Sequence, residues 1–452
     1  MTRRSPGIRT AATRRVLAAV VALGAVAVGL PLLGAGAPAA SATPSARTAD
    51  TPECSDGTGT KIPAAPPALA ALQTQLAWGV TRGQGVVVAV VDSGVDLGNP
   101  HLAGGALAGG VDLVGDGKGS NGFADLEGHG TAVAGQIAAR RIDGSGVEGL
   151  APEARILSIR VFASSDDQAV KAGLGPTIDR IAQGIRVAAD AHAQVINVSL
   201  STSADAPQLR DAVAYAADHG SLVVASSGNT DSTLSVDKTD DPGPRYPAGD
   251  PGALGVAAVD AVGDASAASV HGPHVAIAAP GSQILTTARA GIDCVYAGDT
   301  PATSFATAYV SACAALVAAA HPDETPAQWA YRLEATAVRP IPGRRDDDVG
   351  WGVVQPYDAM TLVPGPGIAG PPSPFGDTGS AASAPDDHVR LEHRDPITAR
   401  ATTIAVIASV GGAVVLGTIA VVAILLRRRR EDRSETVPLD DGRPLMGRAG
   451  SV

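Results

Sequence analysis

The chain has 452 residues with 34 Lys+Arg against 45 Asp+Glu, and its formal net charge of −11 averages over four unlike segments. Residues 1–42 carry five Arg and no acid, 401–426 carry no charge, and 427–452 carry seven Arg and five acids, which leaves 22 basic and 40 acidic residues in 43–400, a net −18. So acidic a body repels phosphate backbones and excludes nucleic acid as a partner, while 45% apolar composition excludes a wholly disordered chain.

The chain opens with Arg3, Arg4, Arg9, Arg14 and Arg15 ahead of an apolar run from Val16 to Leu33, followed by Ala40-Ser41-Ala42, the small-residue pattern of a secretory cleavage site. Residues 1–42 are therefore expected to be a signal peptide, with an uncleaved anchor as the alternative. Residues 43–80, rich in Ala, Pro and Thr, form an N-terminal extension too short to fold as a domain of its own. The folded domain is expected over 81–363, without internal repeats.

Within it, Val86–Val91 is a β-branched run of the kind buried on both faces of a sheet. Similar runs recur at Ile156–Val161, Val195–Leu200, Leu222–Ala225 and Val275–Ala278, with helical patterns at Thr131–Arg140, Thr177–His192 and Ala206–His219. Strands alternating with helices predict an α/β fold with a mostly parallel sheet between helical layers. Chemistry in such folds collects where strands end in loops.

Past the domain, Pro364–Arg400 has the composition of an extended Pro/Gly-rich linker. Ala401–Leu426 then supplies 26 uncharged residues, more than the ~20 that a membrane crossing needs. The run ends at Arg427-Arg428-Arg429-Arg430, a cluster that stays on the cytoplasmic side. The expected topology is single-pass in the cell membrane, with 43–400 outside and the tail 427–452 inside.

Three Cys permit at most one internal bond in an oxidising compartment. Cys54 and Cys294, both in loop-like contexts, are the expected pair, and Cys313, within an apolar helical run, reads as a buried thiol. Their spacing offers no metal site, and nothing in the sequence calls for a cofactor.

Three segments carry chemistry. Val88-Ala89-Val90-Val91-Asp92 puts a carboxylate at a strand tip, Gly128-His129-Gly130-Thr131 opens a helix of small residues, and Thr303-Ser304-Phe305-Ala306 opens a long apolar helix whose first N–H groups favour developing negative charge. Alone, each has a bland reading: a strand-end turn former, a solvated cap, a helix start. Together they supply a weak hydroxyl nucleophile, its base and an orienting carboxylate. Asp96 and Asp125 read as turn or surface carboxylates, and His101, His271 and His274 have no partner motif and are assigned no chemistry.

The order Asp92, His129, Ser304, with these flanks, resembles the subtilisin-like serine proteases over about 81–357. The resemblance implies their three-layer fold, a catalytic triad of these residues and a polypeptide substrate. It also assigns Ser226-Ser227-Gly228-Asn229 as the oxyanion segment, with the Asn229 amide and the Ser304 N–H as donors. Ser199, Leu200, Ser201, Ser227 and Gly228 fall in the substrate-binding cleft. A signal peptide, protease domain, Pro-rich tether and C-terminal span in series resemble the mycosins, membrane-anchored proteases of type VII secretion systems. Asn99-Pro100-His101-Leu102 and Gly350-Trp351-Gly352-Val353-Val354 agree with that branch, which implies a secretion membrane complex as partner and an extension that wraps the protease domain.

Three positions depart from the family pattern: Ala302 stands where Gly is usual, Ala308 where Pro is usual, and Leu126 where mycosins tend to carry Cys. If position 302 needs φ > 0, Ala302 adds strain of ~1–2 kcal/mol. Two further functional classes fit the same sequence. One is a structural subunit of a secretion complex in which proteolysis is secondary. The other is a digestive protease released by cleavage in the tether.

Overall fold

A computed structural model describes residues 61–118, 120–231, 234–237, 243–376 and 415–427. The expected signal peptide, Cys54 and the tail 428–452 lie outside the described residues.

Two short helices, α1 (Pro67–Ala71) and α2 (Thr74–Trp78), precede strand β1 (Val87–Asp92). There follow β2 (Leu107–Asp112), α3 (His129–Ala138), β3 (Arg155–Arg160), α4 (Asp167–Lys171), α5 (Ile178–Asp190), β4 (Val195–Val198), α6 (Pro207–Asp218) and β5 (Leu222–Ser226). The chain continues through β6 (Ala253–Val259), β7 (Ile277–Pro280), β8 (Ile284–Thr287), β9 (Asp293–Tyr296), α7 (Thr303–Ala320), α8 (Pro326–Thr336) and α9 (Pro356–Thr361). The seven strands β1–β7 form one parallel sheet in the order β2-β3-β1-β4-β5-β6-β7, and β8 and β9 form a separate antiparallel pair.

Successive side chains of a strand face opposite ways, and β1 shows why its sequence is a continuous apolar run. Val88 and Val90 enter the core layer shared with α3 and α7, while Ala89 and Val91 enter the layer shared with α5 and α6. Burial of each valine contributes about 1.5–3 kcal/mol. The amphipathic α5 and α6 bury only one side, Ile181, Ile185 and Ala188 on one and Leu209, Val213 and Ala216 on the other. Helix α7 instead buries every residue from Thr303 to Ala318, as a helix apolar all round must. Among the described residues it is the helix long and apolar enough to cross a membrane, yet it lies inside the domain.

Strands β2 and β6 are not among the sequence expectations. Their sequences, LAGGVD and ALGVAAV, lack the β-branched runs of the others. Gly110 and Gly255 account for this, since a Cβ at either would collide with a crossing carbonyl, Asn121 O or His274 O.

The N-terminal segment packs onto the body: Ala68, Leu72 and Ala77 enter the main core, and the Ile62 N–H donates to Asp293 Oδ2 at 2.7 Å. Cys294, beside Asp293, is disulfide-bonded, and Cys313 is a buried free thiol. At the other end the packed body runs past Val363 into the expected linker. The Arg339 guanidinium donates to Ala369 O at 2.6 Å, and the Phe375 ring lies 5.7 Å from Tyr331 and beneath Arg332. Composition alone reads this stretch as tether because its contacts are made by single residues spaced among Pro and Gly and leave no apolar periodicity. A second unit, 380–452, contains the described helix Val415–Arg427, which overlaps the second half of the expected span 401–426 and runs one residue past it.

Candidate active site

Strand β1 is flanked by β3 and β4, so the chain leaves it toward one edge of the sheet for β2 and β3 and toward the other from β4 onward. Parallel sheets open a crevice at such a switch point, beyond the carboxyl ends of the strands. Asp92 is the last residue of β1 and is fully buried there.

His129 is the first residue of α3, and the residue before it, Gly128, has φ of +92°, a left-handed turn that glycine adopts without strain. This turn swings the imidazole back over the strand end, where Nδ1 lies 2.8 and 3.0 Å from the two Asp92 carboxylate oxygens. Donation from Nδ1–H to that carboxylate leaves Nε2 as the acceptor, and Nε2 is buried without a hydrogen-bond partner. The ring rests 5.4 Å from Phe305. Burial disfavours the charged imidazolium, but the charge and hydrogen bond of Asp92, followed by Asp125 and Glu127, outweigh it and hold His129 above the ordinary imidazole value.

Gly130 sets the close approach of α3 to β1, because a Cβ there would land on the Gly94 carbonyl. Gly130→Ala is expected to destabilise the fold by about 3 kcal/mol, the upper end for overpacking. A shift of the urea midpoint measures it, and an unchanged midpoint would show that α3 has room to move.

Ser304 is the second residue of α7, where the backbone N–H has no acceptor within the helix. Its carbonyl accepts from Ser199 Oγ at 2.9 Å, and Gln136, in the last turn of α3, donates to the Phe305 carbonyl at 3.1 Å, which ties the α7 start to α3. No hydrogen bond joins His129 Nε2 to Ser304 Oγ in this structure. Catalytic contacts of this kind often close only around substrate. Ala302 has φ of −117°, extended backbone open to any residue, so the strain considered for this position does not arise.

Asn229 accepts from the Thr303 N–H and hydroxyl through Oδ1, at 3.0 and 2.9 Å, which leaves Nδ2 as its donor group. Ser226 Oγ bonds Thr303 Oγ1 at 2.7 Å and accepts from the Gly228 N–H at 3.1 Å. A small polar cleft opens here, bordered by Ser199, Ser201, Gly228 and Asn229. Two residues expected in it turn their side chains away from its lining. Leu200 packs in the core with Ile196 and Val198, and Ser227 is fully buried. Ser199 borders the cleft, but its hydroxyl is engaged with Ser304 O and Asn197 Nδ2, so it braces the α7 start.

A subtilase-family model matches residues 83–352. Mycosin-3 of Mycobacterium tuberculosis is 34% identical over 429 residues, covering 83% of this chain and 86% of its own. The chain belongs to the mycosins, within the subtilase family. Among solved structures, this mycosin is similar to MycP1 from Mycobacterium smegmatis, at a TM-score of 0.57 and 30% identity over 71% of this chain and 90% of the other. It is equally similar to a chain of an intact ESX-5 inner membrane complex, at a TM-score of 0.57 and 30% identity over 80% and 92%. The mycosin is accordingly a serine endopeptidase.

Two residues at the site and one away from it escape the sequence reading. Asp125, read as a surface or turn carboxylate, is buried beside His129. His274 Nε2 lies 3.1 Å from the Ser227 carbonyl and braces the segment that carries Asn229. His101 is fully buried, 3.0 Å from Asp293 Oδ1, in the cluster that also receives Ile62. No sequence signal ties these residues to their roles, because Ser93, Ser227 and Asp293, the partners that define those roles, are remote in the chain.

Proposed function

We propose that this mycosin hydrolyses peptide bonds through Asp92, His129 and Ser304, and that it does so on the outer side of the cytoplasmic membrane as part of a type VII secretion complex. The observation that carries the catalytic reading is the His129 imidazole, bonded through Nδ1 to the buried Asp92 carboxylate with Nε2 unpartnered. Ser304 attacks the scissile carbonyl while His129 Nε2 takes its proton, and His129 later returns that proton to the leaving amine. Water then repeats the sequence on the acyl-enzyme. Asp92 stays ionised and stabilises the imidazolium.

The oxyanion is held by Asn229 Nδ2 and the Ser304 N–H. Asn229→Ala is expected to remove about 2.7–4 kcal/mol of transition-state stabilisation, read as a fall in kcat with KM little changed. A fall confined to KM would remove Asn229 from this role. The substrate backbone pairs with the Ser199–Ser201 segment at the mouth of the cleft, as an added strand.

The topology belongs to the same proposal: signal peptide 1–42, extension 43–80, peptidase domain 81–363, linker 364–400, transmembrane helix 401–426 and cytoplasmic tail 427–452. The two apolar ends and the terminal Arg cluster support it, and the likeness to a chain of an ESX-5 inner membrane complex supports the partner.

The test is labelling of the full-length protein in membranes with a fluorophosphonate probe, with Ser304→Ala as control. Wild type is expected to label and the variant not. A variant that labels equally rejects the triad. Secretion restored to a deletion strain by Ser304→Ala would assign the protein a scaffold role instead.

A further inference from the structure

We propose that Asp125 is a positioning residue for His129, locking the loop that carries the imidazole to the strand end that carries Asp92. This rests on the triad reading above. The Asp125 carboxylate is buried and accepts four hydrogen bonds, two at each oxygen. Oδ1 receives the Ser93 hydroxyl at 2.8 Å and the Gly128 N–H at 2.7 Å, and Oδ2 receives the Thr131 N–H at 2.9 Å and the Thr131 hydroxyl at 2.6 Å. Gly128 and Thr131 bracket His129 in the chain, so one carboxylate grips both sides of it. Ser93 belongs to the other side of the site: it follows Asp92, and its own N–H donates to Asp92 Oδ1 at 2.8 Å. Asp125 therefore spans the two elements whose spacing sets the His129–Asp92 bond.

The directions of these bonds fix the charge of the group. Ser93 Oγ already accepts from the Gly130 N–H at 2.9 Å, and Thr131 Oγ1 already accepts from the Asp96 N–H at 2.9 Å. Both hydroxyls thus turn their hydrogens toward Asp125, which meets four donors and no acceptor. A carboxylate satisfies that shell and a protonated carboxyl does not. Burial raises the Asp125 carboxyl above its ordinary value and the bonds from Thr131, Gly128 and Ser93 offset this only in part, so it is the four-donor shell that holds the ionised form.

The charged groups around His129 are Asp92 from β1 and Asp125 and Glu127 from its own loop, and Arg289, from the β8–β9 connection, bonds the Leu126 carbonyl of that loop. Glu127 is turned away and held by Ser164 and Ser165. Asp125 is thus a second buried anion that favours the imidazolium, and its loss lowers the pKa of His129.

The experiment measures the rate constant for fluorophosphonate labelling of full-length protein against pH, because labelling needs neutral His129 and no knowledge of the natural substrate. Wild type and Ser304→Ala first establish that labelling reports Ser304, which separates failure of the triad reading from failure of this one. Asp125→Asn is expected to label on the order of 10²-fold more slowly, with its acid limb displaced to lower pH. A merely structural role would leave the limb of the folded fraction in place, so an unmoved limb overturns the proposal. Ser93→Ala keeps the Asp125 charge and cuts the two bonds that tie the Asp92 strand to the His129 loop, the one to Asp125 and the one from the Gly130 N–H. It is expected to slow labelling with the limb unmoved, and a wild-type rate overturns the proposal even where Asp125→Asn does not fold.

Discussion

Ser304→Ala and His129→Ala are each expected to lower kcat about 10⁶-fold, and the double variant no further. The two groups act as a unit: without Nε2 to receive its proton the Ser304 hydroxyl is a weak nucleophile, and without the hydroxyl the base has nothing to activate. What survives is the binding and oxyanion contribution of Asn229 and the α7 start. Steady-state rates on a chromogenic peptide, with the double variant as the floor, measure this. A His129→Ala enzyme well above that floor would mean that another group serves as base.

Asp92→Asn is expected to lower kcat about 10⁴-fold while leaving the fold intact. The reason lies in the direction of one bond. The carboxylate accepts from His129 Nδ1 at both oxygens, which fixes the proton on Nδ1 and the lone pair on Nε2. An amide in the same place can turn its NH₂ toward Nδ1, and the ring then carries its proton on Nε2, toward Ser304. Unchanged thermal melting with kcat lowered by several orders of magnitude is the expected pair of results. A loss under tenfold would show that the ring keeps its tautomer without Asp92.

What the sequence makes legible follows from how local each requirement is. Strand β1 is readable because burial on both faces demands an unbroken apolar run, and the His129 motif because a left-handed Gly128 and a Cβ-less Gly130 must flank it. Strands β2 and β6 are not readable, because the close passage of other chain segments replaces their bulky residues with Gly and Ala. Asp125 escapes because its meaning depends on Ser93, 32 residues away, and His101 because its partner is 192 residues away. Leu200 is the instructive case. Ile196, Val198 and Leu200 fall in one core layer at a spacing of two. Asn197 and Ser199 face the other side, toward Ser311 and Ser304 of α7. The alternation was available in the sequence and places Leu200 inward.

The apolar character of α7 bears on how this protein's topology is to be mapped. Length and hydropathy qualify Thr303–Ala320 as a membrane crossing, and that assignment would put Ser304 at the edge of a bilayer and invert everything after it. Its packing against the sheet, α3, α8 and α9 identifies it as interior. A reporter enzyme fused directly after Ala320 would omit α8, α9 and the segment through Phe375 that packs on α8, and so would interrogate an incomplete body with an 18-residue apolar helix at its end. Fusion junctions placed on either side of 401–426 leave the first unit, which ends at Gly379, whole and compare the two sides of that apolar segment directly.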